Sequence, residues 1–215
     1  MSRILLLGAS GLVGNELLQL LKANNRVEMI YAPTRKPLPP SERVVNPYDA
    51  DLLAALAQVT APIDIAFCCL GSTIKAAGSR QAFRHVDGTL VVDGAKAALA
   101  LGAKQFLVVS ALGADADSLF FYSRVKGETE RALREQEWQH LTLARPSILL
   151  GQRRERRLLE SLAAPLFRLF PGKWRAIEGK TVAQALVNQA FSPEPKARVT
   201  VLESRQLRAL GRQNA

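Results

Sequence analysis

The stretch that most restricts the fold is "ILLLGASGLVG", Ile4 to Gly14, where apolar residues run directly into glycines at 8, 11 and 14. A strand-like run before the glycines and a helix-like pattern after them, Leu12–Leu21, form the setting in which this spacing holds a dinucleotide. Gly8 permits the sharp turn, Gly11 admits a pyrophosphate close to backbone N–H groups, and Gly14 lets helix and strand pack together. The helix N-terminus adds partial positive charge suited to the anion. Ala9, Ser10, Leu12 and Val13 complete the turn and are expected at the same phosphates.

The rest of the chain repeats the alternation. Strand-like runs at Ile4–Leu7, Val27–Tyr31, Arg43–Val45, Ile63–Leu70, Gln105–Ser110 and Leu141–Ala144 are separated by helical patterns at Leu12–Leu21, Asp51–Gln58, Ser79–Leu101 and Phe121–Glu137. Nearly continuous apolar strands between helices predict an α/β fold with a doubly wound parallel sheet covered on both faces. The 215 residues suit one domain, 1–215. After Pro146 the pattern changes: Leu158–Phe170 is apolar and basic, "PGKWRAIEG" interrupts it, helix resumes at Thr181–Phe191, and a strand-like "RVTVLES" precedes a basic tail. Residues 146–215 are expected to form a small C-terminal cap over the carboxyl ends of the strands.

No apolar run approaches the roughly 20 residues that cross a bilayer, and the start reads as a strand rather than a secretory leader, so a cytoplasmic location without stable membrane association is expected. Cys68 and Cys69 are adjacent, so a strand turns them to opposite faces; they read as small buried hydrophobes, and no metal-ligand spacing exists. The net charge of +10 is uneven: residues 1–120 hold 11 basic against 10 acidic side chains, and residues 121–215 hold 18 against 9. A basic half suits an anionic ligand or a protein partner. Without an aromatic-interleaved basic motif or a helix-turn-helix, no nucleic acid is expected.

About 20 residues past the glycine turn, an NAD site places an acid against the ribose 2′-hydroxyl. Here "YAPTRKP" supplies Thr34, Arg35 and Lys36. A guanidinium suits a 2′-phosphate through charge-assisted bonds, which predicts NADP(H) as cofactor; the alternative is that these are solvated loop charges. The loop Cys69, Leu70, Gly71, Ser72 ends the fourth strand at the carboxyl edge, where it is expected near the nicotinamide ribose. Arg145 and Pro146 end a later strand and lead the chain past the nicotinamide half.

"FFYSRVKGE" sets Tyr122 and Lys126 four apart on one helical face, and Ser110 closes the fifth strand. Near a nicotinamide these three suit proton transfer. Tyr122 exchanges a proton with the substrate oxygen, Lys126 favours the phenolate, and Ser110 fixes the oxygen by hydrogen bonding. Both Tyr122 and Lys126 are therefore expected to touch the cofactor as well as the substrate.

With "GASGLVG" and "YSRVK" in place, the chain resembles the short-chain dehydrogenases/reductases of extended or atypical kind. More narrowly, "FCCLGST", "VVSALGAD", "FFYSRVKGE" and "RPSILLGQRRE" resemble the Tat-interacting-protein-like oxidoreductases, bacterial members included. The resemblance covers nearly the whole chain, most weakly after about residue 190. It implies a Rossmann fold, NADP(H) binding, a Ser110–Tyr122–Lys126 constellation, and contact of Ser147 through Leu150 with nicotinamide or substrate. It also implies a departure: where many superfamily members carry Asn on the helix before the serine strand, "FRHVDGT" sets Asp87, which alters the surroundings of the lysine.

Arg153, Arg154, Arg156 and Arg157 read as solvated or paired with Glu155 and Glu160, with guidance of an anionic ligand as the alternative. Two functions follow. One is an NADP(H)-dependent oxidoreductase acting on a small carbonyl or alcohol. The other is a binding protein in which NADP(H) occupancy sets affinity for a protein partner. Relatives of this kind commonly associate through sheet-flanking helices, which makes a homodimer an expectation too.

Overall fold

The computed structural model describes residues 1–150, 175–194 and 196–212. The expected apolar stripe at Leu158–Phe170 and the four arginines at 153, 154, 156 and 157 lie outside these residues.

The strands are β1 (Ser2–Leu7), β2 (Val27–Tyr31), β3 (Val44–Val45), β4 (Ile65–Cys68), β5 (Gln105–Val109), β6 (His140–Arg145), β7 (Leu149–Leu150), β8 (Ile177–Glu178) and β9 (Val199–Glu203). Seven form one sheet in the order β3-β2-β1-β4-β5-β6-β9. Every pairing in it is parallel. The order reverses between β1 and β4, which opens a crevice at their carboxyl ends, the place where doubly wound sheets bind ligands.

Alternation along the strands divides the core. Ile4 and Leu6 face one side with Phe67, Leu107 and Val109, and Leu5 and Leu7 face the other with Ala66, Cys68, Phe106 and Val108. The first side is covered by α1 (Leu12–Ala23), through Val13, Leu17 and Leu21. The second is covered by α2 (Leu52–Ala57), α5 (Leu90–Ala100) and α6 (Phe121–Arg134), through Leu56, Val91, Ala95 and Leu133. The region read as one helix at Ser79–Leu101 is α4 (Arg80–Arg84), then a π-helical turn at His85–Thr89, then α5; the short α3 (Ile74–Ala77) precedes it.

Of the expected cap at 146–215, the described residues 175–194 and 196–212 pack as follows. Here α7 (Gly179–Ala190) buries Val182, Ala183 and Leu186 in the core shared with α1, and β9 pairs with β6 from Leu141 through Arg145. With α8 (Ser204–Leu210) packed behind it through Leu207, this segment extends the sheet by one strand rather than covering its carboxyl ends. The physical reason is the apolar face of α7. It is too wide for a rim element and matches the groove beside α1. The two-residue pairing of β7 with β8 lies outside the main sheet.

Candidate functional site

The glycine turn is fixed by close backbone contacts. Gly8 sits at φ +82°, and a Cβ there would stand 2.7 Å from the Cys69 carbonyl carbon. At Gly14 a Cβ would fall 2.0 Å from the Gly8 carbonyl oxygen. These two glycines bring the end of β1, the start of α1 and the end of β4 into contact. Gly11 donates its N–H to the Gly8 carbonyl at 2.9 Å and leads into α1, whose first turn has no side-chain cap. Ala9 and Val13 are buried beneath the turn, Leu12 is half-buried, and Ser10 is exposed on it. An uncapped helix N-terminus at the end of a parallel strand fits a pyrophosphate.

Beyond β2, Thr34 is buried and held: its hydroxyl donates to the Lys36 carbonyl at 2.6 Å and accepts from Asn46 Nδ2 at 2.8 Å. This pinned backbone presents Arg35 and Lys36 to solvent, and no ion pair among the described residues engages either. Thr34 is therefore a scaffold for the two cations rather than a free hydroxyl.

At the other end of the crevice lies a network of buried charge. Asp87, wholly buried on the π-helical turn, accepts the Ser72 N–H at 2.8 Å through Oδ2 and meets Lys126 Nζ at 2.7 Å through Oδ1. The second contact is a buried ion pair. Thr129 shares its hydroxyl proton between the Asp87 carbonyl of the π-helical turn at 3.1 Å and the Val125 carbonyl of its own helix at 2.8 Å. Ser72 and Gly71 thus reach the site through Asp87, and a Cβ on Gly71 would stand 3.4 Å from Asp87 Oδ1 and 3.8 Å from Lys126 Nζ.

Ser110 is buried at the end of β5 and donates its hydroxyl to Glu130 Oε1 at 2.6 Å. Glu130 in turn receives the guanidinium of Arg145, Nε at 2.9 Å and Nη2 at 2.6 Å. Arg145 also reaches Glu203 at 3.4 Å. The Glu130 carboxylate raises the Arg145 guanidinium above its ordinary value against desolvation by partial burial, and Glu203 adds to the rise. A cavity of about 10 Å³, room for one water, lies among Asp87, Ser110, Lys126, Thr129 and Glu130. Tyr122, 37% exposed, stands one turn before Lys126, its ring 5.4 Å from that of Phe83.

The expected site residues thus fall into two groups. Ser110, Lys126, Gly71 and Ser72 converge on the Asp87–Glu130 network, and Tyr122 shares the α6 face that enters it. Arg145 points instead into the Glu130–Glu203 cluster, and Ser147 bonds Ser204 and the Arg175 carbonyl, so both brace the link between β6 and the C-terminal segment. Pro146 is buried, its carbonyl accepting the Leu112 N–H at 2.8 Å. Cys69 and Leu70 contribute backbone to the turn rather than side-chain chemistry. Burial pushes the Cys68 thiol up to about 12, and burial raises that of Cys69 as well, which agrees with hydrophobic rather than nucleophilic roles.

Sequence reasoning missed Glu130 and Thr129. The signal was present: Glu130 lies four residues past Lys126, on the face that carries Tyr122.

Comparison with known proteins agrees with this geometry. A model of the NAD(P)H-binding family matches residues 8–193. Protein HTATIP2 of Rattus norvegicus is 34% identical over 97% of this chain and 89% of its own length. The mitochondrial protein FMP52 of Eremothecium gossypii is 31% identical over 97% of both chains. A short chain dehydrogenase family protein from Francisella tularensis superposes with a TM-score of 0.73 over 96% of this chain and 98% of its own, at 12% identity, a likeness of fold alone. No described helix is long and apolar enough to cross a membrane. The cytoplasmic expectation is not a shared property of these relatives, since FMP52 is named as mitochondrial.

Proposed function

Because the chain belongs to the NAD(P)H-binding family and is a homologue of HTATIP2, we propose that it is an NADP(H)-dependent oxidoreductase of the short-chain dehydrogenase/reductase type. Its substrate would be a small carbonyl or alcohol. One observation carries the reading: Lys126 Nζ lies 3.8 Å from the Cβ position of Gly71, two residues past the Cys69 backbone on which Gly8 packs. The helix bearing Tyr122 and Lys126 therefore meets the nucleotide turn through the end of β4.

Bound NADP(H) supplies or takes the hydride. Tyr122 gives a proton to the carbonyl oxygen in reduction and takes it back in oxidation, and the ammonium of Lys126 favours the phenolate. Ser110, its own proton turned toward Glu130, offers lone pairs to a hydroxyl at the reacting centre. Arg35 and Lys36 clasp the 2′-phosphate, which selects NADPH over NADH. Tyr122→Phe should lower turnover by about 100-fold or more, the scale of general acid–base catalysis, while NADPH affinity stays unchanged. Parental turnover in that variant, on any substrate found by a carbonyl and alcohol screen, refutes the acid–base assignment.

A second reading has one observation in its favour. The Ser110 proton is already donated to Glu130, so the serine has none to give a carbonyl. In that reading the protein senses NADP(H) and acts through a protein partner, with its basic C-terminal half as the contact surface. Tight NADPH binding without turnover across the screen favours the sensor.

A further inference from the structure

We infer that Asp87 sets which redox form of the nicotinamide cofactor the site prefers, by offsetting the charge of Lys126 so that the cationic, oxidised ring is tolerated. This rests on the cofactor reading above but concerns a property that reading leaves open.

The two forms of the cofactor differ at the nicotinamide by one positive charge. A lone buried ammonium beside that ring would repel the oxidised form and leave the reduced form untouched. Lys126 is such an ammonium, 6% exposed, but it is not alone: Asp87, wholly buried, stands 2.7 Å away. The carboxylate therefore offsets part of the ammonium's charge as seen from the crevice.

The carboxylate is held in place from three sides. The Ser72 N–H donates to Oδ2, Thr129 holds the backbone carbonyl of the same residue, and the π-helical turn carries Asp87 inward. Its other oxygen, Oδ1, meets the Lys126 ammonium at 2.7 Å, and Asp87 and Lys126 both line the one-water cavity. A carboxylate and an ammonium buried together are desolvated at a cost, and that calls for a reason. The position of Oδ1 supplies one, because the Cβ place of Gly71 lies only 3.4 Å from it on the β4 side. No side chain intervenes there between the carboxylate and the loop expected at the nicotinamide ribose. The other acid of the cavity, Glu130, is already committed to Arg145 and Ser110, so it does not substitute for Asp87.

The test is a pair of equilibrium titrations, NADPH by its fluorescence and NADP⁺ by calorimetry, on the full chain. Asp87→Asn is expected to raise the ratio Kd(NADP⁺)/Kd(NADPH) about tenfold or more, the scale of one unscreened charge a few ångströms away at intermediate dielectric. Lys126→Met is expected to move the ratio in the opposite direction, since it leaves the carboxylate without its cation. The double variant Asp87→Asn/Lys126→Met, which contains no charged pair to break, is expected to return the ratio toward the parent value. A purely structural role for Asp87 would weaken both forms together and leave the ratio in place. An unchanged ratio in the double and both single variants, with NADPH still bound, overturns the inference and leaves the cofactor reading standing. Absence of NADPH and NADP⁺ binding in the parent protein overturns both.

Discussion

At the β2 end of the crevice two exposed cations, Arg35 and Lys36, have no ion-pair partner among the described residues. At the α6 end Asp87, Lys126 and Glu130 are buried and Arg145 is half-buried, all joined in pairs. The contrast separates two tasks. A charge that is to meet an anionic ligand keeps its hydration until the ligand arrives, and little stability depends on it. A charge that is to hold a reacting group in place is desolvated in advance, and then it must be compensated within the fold. Under the proposed function, selection of the cofactor and execution of chemistry would rest on opposite electrostatic strategies along one sheet edge.

The sharpest way to break this contrast is at Glu130. Its replacement by Ala leaves Arg145 with only Glu203 and strips the Ser110 hydroxyl of its acceptor. Hydrogen bonds to a charged group contribute about 1.5–3 kcal/mol, and Arg145 is half-buried and keeps Glu203, so urea denaturation should show a loss of about 2 kcal/mol. A loss under about 1 kcal/mol would mean that the cluster is not the brace described here. At the exposed end the stability effect should vanish while binding changes. Replacing both Arg35 and Lys36 by Ala is expected to weaken NADPH about 10- to 100-fold, the worth of charged hydrogen bonds. NADH affinity and the denaturation midpoint should hold. Equal weakening of both coenzymes would dissolve the distinction between the ends.

A smaller effect sharpens the buried side through pH. Burial raises the Cys68 thiol from 9.0 to about 12. A group whose folded value is raised contributes stability that is complete below its unfolded value and is lost as pH climbs toward the folded one. Stability should therefore decline between about pH 9 and pH 12, and Cys68→Ala should flatten that part of the profile. An identical slope in the variant would show that Cys68 takes no part in it.

Legibility followed the range of the interactions. β2 is Val27–Tyr31 in both readings, because a short apolar run with turn residues on each side is decided locally. The run Ile63–Leu70 shortened to Ile65–Cys68: Cys69 keeps its N–H bond to the Leu7 carbonyl at 2.8 Å, but its carbonyl and Leu70 pack against Gly8 and lead into the turn. Tyr122 and Lys126 were legible from helical spacing, and the same spacing held Glu130 unread. Two features were beyond local pattern. The side on which α7 packs depends on a groove made by α1, far away in sequence. The fate of Arg145 was decided by Glu130 and Glu203, neither of which neighbours it in the chain. The ion pair of Asp87 with Lys126 spans 39 residues and needed the π-helical turn, for which the sequence carries no simple signature.

The loop that follows Ser110 lies directly on the backbone of α6: a Cβ on Gly127 would stand 2.1 Å from the Asp115 carbonyl carbon and from the Ala116 nitrogen. Asp115 also donates its N–H to the Ser123 carbonyl at 3.1 Å. Main chain is thus clamped to main chain at two points just past the tyrosine, Ser123 and Gly127. The helix cannot slide along its axis without hauling the serine's own loop, so any displacement carries both residues as one body. Their spacing is secured by the scaffold itself and needs no substrate to assemble it.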